Sequence, residues 1–459
     1  MQIKPTRPIP DPRACALDVL DRLDGSRETL DAVLDAAGPM TSGLSRPDRA
    51  LFNGLVYGVL RWRLRLDAVV GAFADRPLKK IAPPILNILR IGLFQILFMD
   101  RIPASAAVNT SVNLARSRKA VNAAGFVNAL LRNALRDPHR FDLPAAADSP
   151  VDHMAVAKSV PHWLASRWID RWGVAETERL CDAINTIPPI TLRCNGLKNS
   201  PAELATALTA QAEEIAILEN IPGGINLIRP RCPIPEMQAF AEGRFAVQDA
   251  AAQLVALLLD PRPGENVLDA CAGLGGKTTH LAQLMQNQGS IVAMDNVPAK
   301  LVRLEKEARR LGARIISTRR GDLNRPLAST TPPRFDRILL DAPCSGLGVL
   351  RRNPDAKWST QKADVARFAR RQVRFLDHLA PLVKKNGLLV YAVCSMEPEE
   401  DAEVIKAFLK NHSDFAIIGG QSMEAKTVLP FLDENGFLRT VPHIHHMDGF
   451  FAARLKRMC

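Results

Sequence analysis

The 459-residue sequence has few aromatic residues, two tyrosines among them, and no Cys-x-x-Cys pair. Its eight cysteines, at positions 15, 181, 194, 232, 271, 344, 394 and 459, keep no disulfide-scaffold spacing and read as reduced thiols. No apolar run approaches the ~20 residues needed to cross a bilayer. The longest, Ile91 to Met99, is interrupted by Gln95 and reads as a buried helix. The N-terminus carries prolines and no signal-peptide core, and no internal repeat or low-complexity tract is present. Together these absences lead to the expectation of a cytoplasmic chain with no membrane partner. His443, His445 and His446 lack cysteine or acidic partners at ligand spacing, so no metal is expected. Acidic residues are outnumbered: 60 Lys and Arg against 48 Asp and Glu give a net charge of +12, which suits a polyanionic partner such as nucleic acid.

This length implies two or three domains. After a proline-rich start over residues 1–12, expected to stay unordered, Arg13 to Arg136 is helical in pattern. Leu51, Leu55, Val59, Leu66, Val70 and Phe73 recur at helical spacing, and Ile85, Ile88, Leu89, Leu93, Ile96 and Leu97 continue the stripe. Pro83-Pro84 is placed to open their helix, and a further helix is expected between Val121 and Leu135. Between residues 51 and 140 there are 14 Lys/Arg against 4 Asp/Glu. Arg61, Arg63 and Arg65 surround Trp62, and Arg116, Arg118 and Lys119 cluster later. These clusters read either as a solvated face or as a surface that docks on phosphates. Residues 138–160 read as a linker. Trp163, Trp168 and Trp172 follow as core residues of a short helix, with strands expected at Ile190–Asn195 and near Ile225–Ile228 and a helix from Pro201 to Ala212.

From Gly243 the pattern alternates strand, loop and helix, the signature of a mostly parallel doubly wound sheet. Strands are expected at Asn266–Leu268, Ile291–Met294, Arg314–Thr318, Ile338–Leu340 and Leu388–Val393, with helices at Thr278–Asn287 and Lys300–Leu311. The first strand-to-helix turn is Asp269-Ala-Cys271-Ala272-Gly273-Leu274-Gly275-Gly276-Lys277-Thr278. Its glycines let backbone approach a ligand, and the amides of the next helix favour negative or polar groups. Gly276-Lys277-Thr278 imitates the end of a phosphate-binding Walker loop, but that motif requires glycine where Cys271 stands. A nucleoside cofactor such as S-adenosylmethionine fits better. It calls for an acid at the end of the second strand to receive the ribose, supplied by Asp295. Asp322, after the third strand, is placed to hold the adenine amino group, and Asp341 ends the fourth.

Three motifs then carry a resemblance: Asp-x-Cys-Ala-x-x-Gly-Gly-Lys-Thr at 269–278, Asp-Ala-Pro-Cys-Ser-Gly at 341–346 and Tyr-Ala-Val-Cys-Ser at 391–395. The chain resembles the bacterial RNA cytosine-5 methyltransferases. The stretch from Ile88 to Pro103 is similar to the NusB-like helical domain of their Sun/RsmB branch, and Asp448–Arg454 also fits. The resemblance implies an all-α NusB-like domain over residues 1–140 and a small α+β module over 141–242. A Rossmann-like methyltransferase domain would follow over 243–459. It further implies a monomer that methylates one cytosine of small-subunit ribosomal RNA with S-adenosylmethionine. One departure is Gly273-Leu274, where the family usually has Ala-Pro; altered loop stiffness is expected rather than lost binding.

Carbon 5 of cytosine is a poor nucleophile until a thiolate adds to carbon 6, so one cysteine is obligatory. Spacing alone leaves the choice between Cys344 and Cys394 open. The resemblance maps the nucleophile to Cys394, with Cys344 assisting product release. Asp341 lies close enough in sequence to orient the base or the methyl donor, or to protonate ring nitrogen 3, and donor binding is the expected role. Cys271, Ala272, Gly273, Leu274, Gly275, Gly276, Lys277, Asp295, Asp322 and Asp341 are the expected cofactor contacts. Arg351, Arg352 and Lys357 are expected to touch RNA, continued by Lys362, Arg367, Arg370, Arg371 and Arg374. A non-enzymatic RNA-binding protein is the remaining alternative, and it leaves two strand-end cysteines without a purpose.

Overall fold

The structure, a computed structural model, describes residues 10–118, 121–326, 335–419 and 426–458. Residues 1–9 and Lys119 lie outside this set. The chain divides into two compact units, one running to Thr186 with Leu350–Ser359 added, the other holding Ile187–Val349 and the chain from Thr360 onward.

The first unit is helical. Pro12 already opens its first helix, Pro12–Gly25, capped by the Asp11 carboxylate, so order begins before the expected proline-rich stretch ends. Pro83–Phe98 starts at the two prolines and Val121–Arg136 follows as the pattern requires. The helical stripe supplies a dry core, in which Leu55, Val59, Leu66, Val70, Ile88, Leu89 and Leu93 are buried. Leu97, expected in that stripe, is 47% exposed in the last turn of its helix. The tryptophans lie on one long helix, His162–Asn185, kinked at Gly173; Trp168 is buried and packs on Trp172.

The basic cluster around Trp62 turns inward rather than toward phosphate. The Arg61 guanidinium is buried and donates to the Arg351 carbonyl at 2.7 Å, and Arg63 pairs with Asp24 at 2.8 Å. Leu350–Ser359 is embedded among these helices. The Asp355 carboxylate accepts from the Leu30 amide at 2.9 Å, and the Trp358 indole donates to the Leu60 carbonyl at 2.7 Å. Lys357 is buried, its ammonium on the carbonyls of Arg61 and Ser159 and the side-chain oxygen of Asn185, at 3.0, 3.1 and 2.9 Å. With its three donors so engaged it has none for a phosphate, which corrects the expectation that it contacts RNA. Arg351 is buried as well, and Arg352 is half-buried. Alternation of charge and polarity in the sequence does not distinguish a basic surface from a basic segment folded into a neighbouring core.

The second unit holds two sheets. The smaller is antiparallel, in order β2 (Ala212–Ile217), β3 (Gly224–Pro230), β1 (Ile190–Cys194), β4 (Phe245–Val247), backed by the helix Pro201–Leu208. The larger has a parallel core in the order β9 (Val383–Val393), β8 (Phe335–Asp341), β5 (Asn266–Asp269), β6 (Ser290–Asp295), β7 (Ile316–Arg320). β10 (Phe415–Ile417), β11 (Leu438–Thr440) and β12 (Phe450–Arg457) extend it antiparallel beside β9. The parallel core is the expected doubly wound arrangement. The helix Pro298–Leu311 ends where expected, closed by Gly312 in a left-handed turn, and strand β7 starts two residues later than expected. The helix Gly276–Leu284 stops short of Asn287, since Gln286 and Asn287 both have positive φ. Among the described residues no helix is long and apolar enough to cross a membrane.

Burial pushes Lys357 down to about 7, helped by the charge of Arg61. Between pH 7 and 9 the folded chain therefore holds fewer protons at this side chain than the unfolded chain, whose lysine stays charged. Stability accordingly rises with pH across that window, by up to about 1.4 kcal/mol per pH unit. In Lys357→Met this contribution is absent, so melting curves of the variant between pH 7 and 9 should rise less with pH than those of the parent protein.

Candidate active site

All five parallel strands point their carboxyl ends to one edge, the edge at which open α/β sheets bind ligands. At the end of β5, Asp269 is buried and takes a hydrogen bond from the Thr278 hydroxyl at 2.7 Å, tying strand to helix. Burial lifts this carboxyl to about 7. Gly275 has φ +86°, and a Cβ there would stand 2.5 Å from Leu304 Cγ; Gly273 has φ +56° with open space beside it. The loop thus leaves bare backbone facing a free volume. Leu274 is exposed at its tip.

Asp295 ends β6. Its carboxylate accepts from the Gly273 amide at 3.0 Å and the Val297 amide at 2.8 Å, which fixes both oxygens beside the glycine loop while leaving lone pairs for a hydroxyl pair. Asp322 follows β7 on an exposed loop, and its Oδ1 accepts from the backbone and side-chain amides of Asn324, which hold its pKa below the usual range. Asp341 ends β8 and receives the Lys277 ammonium at 2.6 Å. Burial opposes the charge on Lys277, yet Asp341 outweighs it and raises the pKa, with Cys394 adding to the same effect. The ammonium also lies 5.2 Å from the centre of the Phe450 ring. Lys277 therefore serves the acid and the thiol of the pocket rather than a phosphate cradle.

The two motif cysteines meet: Cys344 Sγ and Cys394 Sγ are 3.3 Å apart. The Cys394 contact raises the pKa of Cys344 most, followed by burial and the charges of Cys394 and Glu400. Cys271 is a different kind of thiol. Burial, then Asp269, Asp341 and Asp295, push it up well above the ordinary thiol range, so it stays protonated and packs as a small apolar group.

Several side chains that hold the site together were not anticipated from the motifs. Arg193 of β1 is buried and reaches across to the cofactor loop helix, donating to the Gly276 carbonyl at 2.6 Å, the Thr279 hydroxyl at 2.9 Å and Gln283 at 3.0 Å. Glu400, Gln372, Ser345 and Ser395 form a buried cluster beneath the cysteines. A Cys-Ser dipeptide at both strand ends was the one signal in the sequence for that cluster. His445 Nδ1 accepts from the Val441 amide, and among the described residues no group of His, Cys, Asp and Glu is arranged to hold a metal.

A glycine loop feeding a helix, acids at successive strand ends and a parallel sheet closed by an antiparallel edge define a Rossmann-type nucleoside-cofactor enzyme. The comparisons give its kind. Residues 256–456 match the 16S rRNA methyltransferase RsmB/F family, residues 10–136 the NusB family, and residues 160–235 the RsmF/B-like ferredoxin-like domain. A probable ribosomal RNA small subunit methyltransferase B from Synechocystis is 39% identical over 90% of this chain and 92% of its own. A second from Bacillus subtilis is 36% identical over 97% and 98%. The crystal structure of PH0851 superposes with a TM-score of 0.80 at 25% identity, covering 99% of both chains. The chain belongs to the family of ribosomal RNA small subunit methyltransferases B, and S-adenosylmethionine is its cofactor. The open backbone at Gly273 and the fixed carboxylate of Asp295 fit that cofactor's methionine and ribose parts.

The two glycines separate loop strain from contact. Gly275→Ala meets Leu304 and a left-handed backbone at once, and should weaken S-adenosylmethionine binding about tenfold or more, a cost of about 1.4 kcal/mol or above. Gly273→Ala carries only the left-handed cost of roughly 1–2 kcal/mol and leaves the helix start in place. Equilibrium dialysis with labelled cofactor should rank the two in that order.

Proposed function

We propose that this enzyme methylates carbon 5 of one cytosine in small-subunit ribosomal RNA, with Cys394 adding covalently to carbon 6. The observation that carries the reading is the 3.3 Å contact between Cys344 and Cys394 at the mouth of the cofactor loop. Methylation at a ring nitrogen or a ribose oxygen has no use for a thiol pair; carbon 5 requires a nucleophile at carbon 6.

Of the two sulfurs, Cys344 is held as the thiol, because the Cys394 contact and then burial raise its pKa. The Lys277 ammonium interacts electrostatically with the Cys394 sulfur, which places a cation beside the proposed nucleophile. The Cys394 thiolate adds to carbon 6, and the electron pair moves to make carbon 5 nucleophilic. S-adenosylmethionine supplies a methyl group on a sulfonium, which carbon 5 takes while the thioether leaves. Lys277 holds the Asp341 carboxylate between base and donor as an orienting acceptor. The carbon 5 proton then leaves to water, the bond from carbon 6 to sulfur breaks, and the Cys344 thiol donates to the departing sulfur. One chain carries every group this sequence uses, so a monomer suffices, and a ribosomal substrate places the enzyme in the cytoplasm.

The target base must leave its stack to reach this pocket, which costs least in a loop or single strand. Of the residues expected along the RNA path, Lys362, Arg367, Arg370 and Arg374 lie exposed on the helix Lys362–Leu379. The last three recur at helical spacing on one face of the helix whose Gln372 donates to the carbonyl of Pro343, the residue before Cys344, and form the basic track we assign to the RNA.

Cys394→Ala should abolish turnover, whereas Cys344→Ala should accumulate a protein–RNA adduct on denaturing gels; the opposite pattern reverses the two roles. Bisulfite sequencing of ribosomal RNA from cells with and without the gene tests the carbon 5 assignment itself, which fails if no protected cytosine depends on the gene. Replacing Arg367, Arg370 and Arg374 with alanine should weaken RNA binding and reduce the slope of log K against log salt by about 2, the change from losing about three single-strand phosphate contacts. Filter binding across salt concentrations measures it.

A further inference from the structure

The two cysteine loops carry the same Cys-Ser dipeptide. Each strand of the β8–β9 pair ends in a turn carrying Cys-Ser. The sulfurs of the two dipeptides lie 3.3 Å apart and their serine hydroxyls 3.2 Å apart. Beneath the hydroxyls sits the carboxylate of Glu400, on the short helix Pro398–Glu400. One of its oxygens accepts from the Ser345 amide at 2.9 Å and from the Gln372 amide at 3.0 Å. The other accepts from the Ser345 hydroxyl at 2.5 Å and the Ser395 hydroxyl at 2.7 Å. Gln372 also donates to the carbonyl of Pro343, the residue before Cys344, at 3.1 Å. The backbone of Glu400 is held in turn by the Tyr391 hydroxyl on its carbonyl, at 2.6 Å.

We propose that Glu400 is the positioning residue that sets the separation of Cys344 and Cys394, by bridging the serine that follows each. The proposal deepens the covalent reading above, and its importance for turnover rests on that reading; the bridge itself does not. A fully buried carboxylate is costly to keep, and an apolar side chain of similar volume would serve packing as well or better. What an apolar side chain lacks is the ability to receive hydrogen bonds from two different loops on two oxygens. Burial raises the pKa of Glu400, and the donors from Ser345, Ser395 and Gln372 act against that, as they must to keep an acceptor there. Four donors converging from two loops and one helix fix the carboxylate at a single point. Both serines are then fixed, and each sulfur is one residue away.

The spacing is read without RNA or cofactor in the full-length protein by treating it with diamide. The reagent takes the two thiol hydrogens, becoming a hydrazine, and leaves a bond between the sulfurs. Peptide mass spectrometry follows the linked 344–394 pair. Glu400→Ala should slow this closure by at least about tenfold, in line with the cost of ~1 Å misplacement of reacting groups. Glu400→Gln should regain most of the lost rate, since its amide still bridges the two hydroxyls. Methyl transfer by Glu400→Ala should fall in kcat with KM for RNA unchanged. If Glu400→Ala does not melt cooperatively, Ser395→Ala, which removes a single rung, should still slow closure severalfold. Closure at the parent rate in a folded Glu400→Ala or in Ser395→Ala overturns the proposal, as does a Glu400→Gln no faster than Glu400→Ala. A negative bisulfite result with slowed closure would remove the carbon 5 reading and leave the bridge standing.

Discussion

Strands β8 and β9 pair in parallel with Leu340 opposite Tyr391 and Asp341 opposite Ala392, and the pocket's geometry follows from that register. Beyond the strands the ladder continues as single bonds, from the Ala342 amide to the Ala392 carbonyl at 2.8 Å and from the Gly348 amide to the Cys394 carbonyl at 3.0 Å. A slip of one residue would send alternate side chains to the opposite face and carry the sulfurs apart. The register is secured from both faces by core packing. Ile338, Leu340, Leu389, Tyr391 and Val393 face one cluster, and Leu339, Val390 and Ala392 the other, with no exposed position among them. Hydrophobic burial on both faces thus brings the two cysteine loops side by side, within reach of the one carboxylate that joins their serines.

Charge in the pocket is arranged by the same economy of position. Asp269, Asp295 and Asp341 stand at the ends of three neighbouring strands. Each is answered differently: Asp269 by the Thr278 hydroxyl, Asp295 by two backbone amides, Asp341 by the Lys277 ammonium. The lysine that imitates a phosphate-binding residue in sequence is the counter-ion of a strand-end acid in space. Arg193 extends the pattern from the small sheet, so the helix that follows the glycine loop is braced by a side chain from another layer.

Much of this could be read from residues alone, because the relevant signals are local. Apolar runs that end in Asp or Cys marked the strand ends, and glycines marked the loop. Short strands such as β10 and β11 carry too few residues for a pattern and were not foreseen. The segment at 351–357 differs from its sequence reading for another reason. Arg351 and Lys357 have the composition of a nucleic-acid surface, and only tertiary contacts reveal that the Lys357 ammonium is spent on carbonyls and that Arg61 donates to the Arg351 carbonyl. Glu400 was passed over because an acid in an acidic stretch, Glu397 to Asp401, looks like solvated charge until its donors are seen.

The excursion of Leu350–Ser359 has a consequence for how the chain comes to be folded. Domains fold largely in the order they leave the ribosome, at about 5–20 residues per second. The helices up to Thr186 are complete long before Lys357 exists, so the carbonyls of Arg61 and Ser159 wait, on the order of ten seconds at that rate, for the ammonium that joins them. The nascent helical unit is therefore finished only when the turn after Cys344 has been made. Maturation of the N-terminal helical unit is tied in time to synthesis of the loop that carries Cys344.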